Sequence, residues 1–178
     1  RQRRAGGFTS QDHPLSAYSG GDHLAKKDKI MSYNFHSGGI SLPEVSRGNR
    51  KTQNGSTKHF TGAVVVGDGA GVRVGTESHL EAVAVLLLSA RHSTFDLVEQ
   101  VAFRWYDEQG KYHVHFIDVV ETRVDGTVTG HAVRPWARAN AKYLEKLARI
   151  KEQAVEQGFL DDFRLFTEKD VCPVELHN

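Results

Sequence analysis

Cysteine is almost missing from this chain of 178 residues: Cys172 is the only one. A single thiol excludes an internal disulfide framework and a multi-cysteine zinc site, and it fits a reducing, cytoplasmic compartment. Cys172 has no activating neighbour in sequence and reads as inert. Long apolar runs are missing too. Ala82–Ala90 falls well short of the roughly 20 residues that span a bilayer, so no membrane partner is expected. The basic start, with Arg1, Arg3 and Arg4, is not followed by the apolar stretch of a secretory signal. Neither sign of charge is in excess: 23 Lys and Arg face 22 Asp and Glu, a net charge of +1. Overall charge therefore does not single out nucleic acid as a partner.

What is present is unevenly distributed. Residues 1–58 collect Lys26, Lys27, Lys29, Arg47, Arg50, Lys51 and Lys58 with paired glycines such as Gly6-Gly7 and Gly38-Gly39, and their apolar periodicity is weak. They read as a basic, largely irregular arm, with one short strand near Ile30–Phe35. Such an arm either tracks phosphates or is a solvated tail. The folded domain is expected over 59–178. Two short strands flank Gly67-Asp68-Gly69-Ala70-Gly71. That run lacks the lysine and helix start of a phosphate loop and reads as a hairpin turn. A mostly buried helix is expected from Glu77 to about Arg91, capped by Thr76 or Gly75. Strands follow at Val98–Tyr106, Tyr112–Val120 and Gly126–Arg134, joined by Gln-Gly and Asp-Gly turns that favour antiparallel hairpins. An amphipathic helix over Trp136–Gln157, ended by Gly158, precedes a last strand at Phe163–Thr167. The order implies an α/β fold, a mixed central β-sheet flanked by helices.

Two acids sit where acids are costly. Glu81 lies among Leu80, Val83, Ala84 and Val85, and a buried carboxylate needs compensation by a cation or a donor. Glu77, four residues earlier, would share its helix face and reads as a first-turn acid favoured by the helix dipole. Asp118 interrupts the apolar strand Phe116-Ile117-Asp118-Val119-Val120, on the face of Val114, Phe116 and Val120 by alternation. A divalent cation with oxygen ligands would satisfy both Glu81 and Asp118, whereas salt bridges to arginine are the structural alternative. On the third strand Ala132 and Arg134 share one face, and His131 and Val133 take the other. Trp136, Arg138 and Lys142 follow, placed to lie along a DNA backbone, although Trp136 reads slightly better as a core plug. His113 and His115 share a strand face and would bind zinc only with a third ligand; exposed strand histidines are the alternative.

These residues, in this order, resemble the TnsA family, the PD-(D/E)XK-type endonuclease subunits of heteromeric cut-and-paste transposases. The resemblance runs from about residue 74 to 174. Ser78-His79-Leu80-Glu81 stands for the family's Ser-x-Leu-Glu helix, and Glu99-Gln100 for its Glu-Gln. Asp118 matches the strand aspartate, and Val133-Arg134-Pro135 matches Val-Lys-Pro. Leu144-Glu145-Lys146-Leu147 lies in the next helix, and Phe166-Thr167-Glu168-Lys169-Asp170 matches the closing Phe-Thr-Asp/Glu-Lys-Asp/Glu. The resemblance implies a restriction-endonuclease-like fold. It also implies Mg²⁺ or Mn²⁺ held by Glu81 and Asp118, and a phosphate contact from Arg134. A subunit of this kind cuts one DNA strand at transposon ends beside a partner transposase, and homo-oligomers are possible. Two positions depart from the pattern. Ala132 stands where the family has Gln or Glu, and Arg134 where it has the lysine. Alanine cannot ligate a metal, and arginine is effectively never a base. The resemblance therefore implies either a metal-dependent endonuclease or an inactive nuclease-fold protein that binds DNA and a partner transposase for assembly.

Overall fold

The computed structural model describes residues 41–51 and 60–172. The expected strand near Ile30–Phe35 and most of the basic arm lie outside these residues. A compact unit begins at Ser41. In chain order it contains β1 (Gly62–Val66), β2 (Val72–Thr76), α1 (His79–Ser89), β3 (Thr94–Tyr106), β4 (Tyr112–Arg123), β5 (Val128–Val133), α2 (Ala141–Glu156) and β6 (Asp162–Phe166). A short 3-10 turn, Trp136–Arg138, precedes α2, and another, Glu168–Asp170, follows β6.

β1 and β2 form an antiparallel hairpin of their own across the glycine-rich turn. The main sheet has the order β3-β4-β5-β6. Its first three strands are antiparallel, and β6 lies parallel to β5. The parallel pair requires a crossover, and α2 supplies it. The fold is thus α/β with a mixed central sheet, as the order of elements implied. The tight turns rest on left-handed glycines, Gly110 at φ 72° between β3 and β4 and Gly126 at φ 87° between β4 and β5.

α1 is apolar around most of its surface because it packs against both sheets. Val85 and Leu88 meet Val74 of β2, Leu97 of β3 and Val119 of β4. Val83, Ala84 and Leu87 meet Phe166 of β6. Each fully buried aliphatic side chain contributes about 1.5–3 kcal/mol, so these clusters fix α1 firmly. α2 buries only the stripe Leu147, Ile150 and Ala154, as its amphipathic pattern predicts. No described helix is long and apolar enough to cross a membrane.

Several boundaries differ from expectation for local reasons. α1 starts at His79, not Glu77. Its cap is Ser78, whose hydroxyl accepts from the Glu81 amide. Glu77 therefore lies outside the helix, and the supposed shared face of Glu77 and Glu81 does not exist. The second helix is broken at Ala139–Asn140, where the Asn140 side chain accepts from the Tyr143 amide and starts α2 afresh. β3 begins four residues early, because Thr94 and Asp96 pair with Arg123 and Thr122 across a bulge. Trp136 is 48% exposed and plugs no core. Residues 41–51, read as part of the arm, bond to the domain. The Glu44 amide donates to the Gly71 carbonyl and its carbonyl accepts from Arg73, each at 2.9 Å. Arg47 pairs with Asp96. At Gly48 a Cβ would stand 2.6 Å from the Glu99 carbonyl oxygen, so only glycine permits this close approach to β3.

Candidate functional site

Asp118 sits in the middle of β4, at the point where β5 leaves it. The β4–β5 ladder is closed at Val119 and His131. One residue further, Asp118 faces Ala132, and its Oδ2 accepts from the Val133 amide at 2.8 Å. The side chain thus takes over a donor that the next ladder bond would have used, while Arg134 turns its amide to the Phe166 carbonyl of β6. On its other side Asp118 lies opposite Gln100 in the β3–β4 register. Gln100 is the only described non-glycine residue with positive φ, at 50°, and it is 1% exposed. Its amide nitrogen is 3.4 Å from Asp118 Oδ1. Strain of this kind persists only where the surroundings enforce it. Here the Gln100 carbonyl accepts from the Asn49 amide at 3.2 Å, and its side-chain oxygen accepts from Arg50.

Glu77 lies just before α1 and Glu81 in its first turn. Glu81 is 8% exposed, and both its oxygens are engaged: Oε2 accepts from the Glu77 amide at 2.8 Å and Oε1 from the Ser78 hydroxyl at 2.9 Å. It closes the helix start in the manner of a capping box. Glu77 Oε2 pairs with the Arg50 guanidinium at 2.6 Å, and its Oε1 is buried with no partner among the described residues.

The electrostatics of this corner are those of crowded acids. Burial pushes the Asp118 carboxyl up, and the charges on Glu81 and Glu77 push it further. The Val133 amide and Gln100 only partly offset this, and it titrates near 7. Glu81 is raised as well, by burial first and then by Glu77, against the opposing bonds from the Glu77 amide and Ser78.

Arg134 is half-buried. Its guanidinium lies 4.1 Å from the centroid of the Tyr143 ring of α2, a cation–π stack, and its Nε has no partner among the described residues. Burial raises the Tyr143 hydroxyl and Arg134 partly offsets this. Lys169 caps the exposed Trp136 ring at 3.8 Å, and the Trp136 amide is anchored to Glu168 at 2.8 Å. Arg138 and Lys142 are exposed on the same stretch.

Glu81, Asp118 and Arg134, distant in sequence, therefore belong to one corner of the fold, with Glu77 beside them. Sequence reasoning missed three members. Arg50 carried no signal within a basic stretch, and Tyr143 fell within the expected amphipathic helix without a mark of its own. Gln100 was visible solely as half of a Glu-Gln pair. The donor set does not fit a hydrolytic metal centre. Ala132, opposite Asp118, is fully buried and offers no oxygen. Both Glu81 oxygens serve the helix start. Among the described residues no three Asp, Glu, His or Cys side chains are placed to hold one ion.

The histidines resolve separately. His113 bonds Asp107 at 2.8 Å and stacks on Trp105. Burial, then the nearby Lys146, holds His115 near 4, and its ring packs edge-on against Phe163. Neither is a simple exposed strand histidine. His131 turns away from Asp118, as alternation required, and its Nε2 lies 3.2 Å from Glu121. Cys172 is exposed.

No family model matches the chain, and no curated protein matches it.

Proposed function

We propose that this chain is a nuclease-fold DNA-binding subunit of the TnsA-like kind, restriction-endonuclease-like in architecture, which holds DNA and a partner transposase without cutting. The strand order and the α2 crossover agree with that architecture, and so does the meeting of Glu81, Asp118 and Arg134 at one sheet corner. The observation that carries the non-cutting reading is that Asp118 bonds the Val133 amide beside the fully buried Ala132. Where a third oxygen would complete a metal-bound water site, the sheet presents a buried methyl group. The basic and aromatic run Arg134, Trp136, Arg138 and Lys142 is the surface for the phosphate backbone. Arginine suits that role, because its charge is permanent and its planar face stacks on Tyr143.

The test pairs binding with cleavage. Purified protein, with and without its transposase, is incubated with transposon-end DNA in Mg²⁺ or Mn²⁺. Retained complex and uncut DNA are expected, with binding weakened by Arg138→Ala and Lys142→Ala together. Cleavage that disappears in Asp118→Ala would overturn the reading. It would support instead a metal-dependent endonuclease that cuts one strand. One observation favours that second reading: Glu77 Oε1 has no partner among the described residues, and Glu77 acts on an Asp118 carboxyl pushed up by burial and then by its neighbours' charges. In the same assay Ala132→Gln with Arg134→Lys is expected to install cutting in the assembled complex.

A further inference from the structure

Glu77 before α1, Glu81 in its first turn and Asp118 on β4 act on one another electrostatically, and a folded protein does not leave such acids uncompensated. The compensation comes from a distant segment. Arg50 Nη2 reaches Glu77 Oε2 at 2.6 Å and Gln100 Oε1 at 2.8 Å, and its Nε meets the same Gln100 oxygen at 3.2 Å. The guanidinium carbon lies 5.3 Å from the centroid of Phe116, a neighbour of Asp118 on the same strand face. Arg50 thus touches Glu77 directly and Asp118 through Gln100, and its charge also acts on Glu81.

The segment that delivers it is built to do so. Ser46 donates to Glu99, which also accepts from the Gly75 amide at 2.8 Å. Arg47 clamps Asp96 and the Leu97 carbonyl. Asn49 accepts from the Ala102 amide at 2.9 Å and donates its own amide to Gln100. Five residues in a row, Ser46 to Arg50, therefore follow the edge of β3, and the last points its charge at the acidic corner. The unusual backbone at Gln100 brings its side-chain oxygen to Arg50 and its nitrogen to Asp118.

We propose that Arg50 is the resident cation of this corner, an internal counter-ion that does the neutralising work a divalent ion would do between Glu77, Glu81 and Asp118. The inference deepens the non-cutting reading by naming what replaced the metal. A monovalent guanidinium on a short tether can hold the carboxylates together but cannot activate water.

The test is a charge-compensation cycle on the full chain, followed by thermal unfolding with and without millimolar MnCl₂, and by Mn²⁺ titration under electron paramagnetic resonance. Arg50→Met is expected to lower the midpoint by about 2–4 °C. Adding Glu77→Gln to Arg50→Met is expected to return most of that loss, because the orphaned acid is then gone. Mn²⁺ is expected to leave the midpoints of both the unaltered chain and Arg50→Met unmoved, because both Glu81 oxygens serve the helix start and removing Arg50 adds no ligand. Additive effects of the two substitutions would overturn the proposal. So would Mn²⁺ bound stoichiometrically by the unaltered chain, which would mean that a metal and not Arg50 answers these acids. Should Arg50→Met fail to fold, Arg50→Lys keeps the charge and loses the forked contact, and Glu77→Gln is then expected to restore the smaller loss. DNA binding is read separately. Its absence defeats the functional reading and leaves the counter-ion result standing, and the reverse also holds.

Discussion

Asp118 and Glu121 stand three residues apart on β4 and face opposite sides of the sheet. Glu121 is fully buried and Asp118 partly so, and their chemistry diverges. Burial alone would push the Glu121 carboxyl up, but bonds from His131 and Thr94 and the charges of His131 and Arg123 outweigh it and hold it near 2. Thr94 donates at 2.7 Å, His131 Nε2 lies at 3.2 Å and Arg123 Nε at 3.5 Å. Asp118 meets one amide, a long contact to Gln100 and two other acids, and titrates near 7. Burial of an acid is thus no mark of function. An acid given its own partners is part of the framework, and an acid set among other acids marks the place where something must bind or where a distant side chain must intervene.

This contrast can be broken by removing each acid in turn. Glu121→Ala strands His131 and Arg123 around an empty buried space and is expected to destabilise the fold by about 3–5 kcal/mol, measured by urea unfolding at pH 7. A loss under 1 kcal/mol would mean that Glu121 is no better supported than Asp118. Asp118→Asn keeps the acceptor for Val133 and removes the repelled charge. It is expected to stabilise by roughly 1–3 kcal/mol at pH 8 and to change little at pH 4, by the same measurement.

The two acids also predict opposite pH windows. The Asp118 carboxyl is raised in the folded state, so the folded chain holds more protons than the unfolded one between about 4 and 7, and stability falls as pH rises through that range. The raised Glu81 adds to the same slope. The Glu121 carboxyl is lowered, so its contribution is complete above about 4.5 and is lost as pH falls toward 2. His115, held near 4, opposes the Asp118 slope between about 4 and 6.5, so a nearly level profile is expected there, and Asp118→Asn is expected to uncover a stability that rises with pH over this window. A profile unaltered by that substitution would place the titration elsewhere.

Smaller effects sharpen the contrast at its rim. Arg134→Ala is expected to weaken DNA binding evenly across sequences and to reduce the salt dependence of log K by about 1. A sequence-dependent loss would point to base contact instead. Lys169→Ala removes the cation from the exposed Trp136 ring and is expected to lower stability by about 0.5 kcal/mol, with Trp136 fluorescence as the local readout.

Much of the sheet was legible because its signals are local. Alternation and the Gln-Gly and Asp-Gly turns marked β3, β4 and β5 as antiparallel neighbours, and the amphipathic pattern with Gly158 marked α2 and the strand after it. The start of α1 was misplaced by two residues, since Thr76, Ser78 and the acids Glu77 and Glu81 all resemble helix starts. Only the side-chain bonds of Ser78 and Glu81 separate them. Trp136 looked apolar enough for a core, but the break at Asn140 leaves it on the surface. At the site, Glu81 and Asp118 stood out because acids amid aliphatics are locally inconsistent. Arg50, Gln100 and Tyr143 did not, because an arginine among basic residues, a glutamine in a strand and a tyrosine on a helix stripe break no local rule.

The sequence by itself determined the order of elements and the placing of Glu81 and Asp118 among apolar residues, since each depends on residue identity and short-range period. Only the tertiary structure decided which groups answer those acids. Arg50 reaches Glu77 across 27 positions and Gln100 across 50, and His131 rather than a solvent-facing neighbour takes Glu121. Coulomb forces and hydrogen bonds act on distance in space, and that distance is set by strand register and by the path of residues 41–51 along β3.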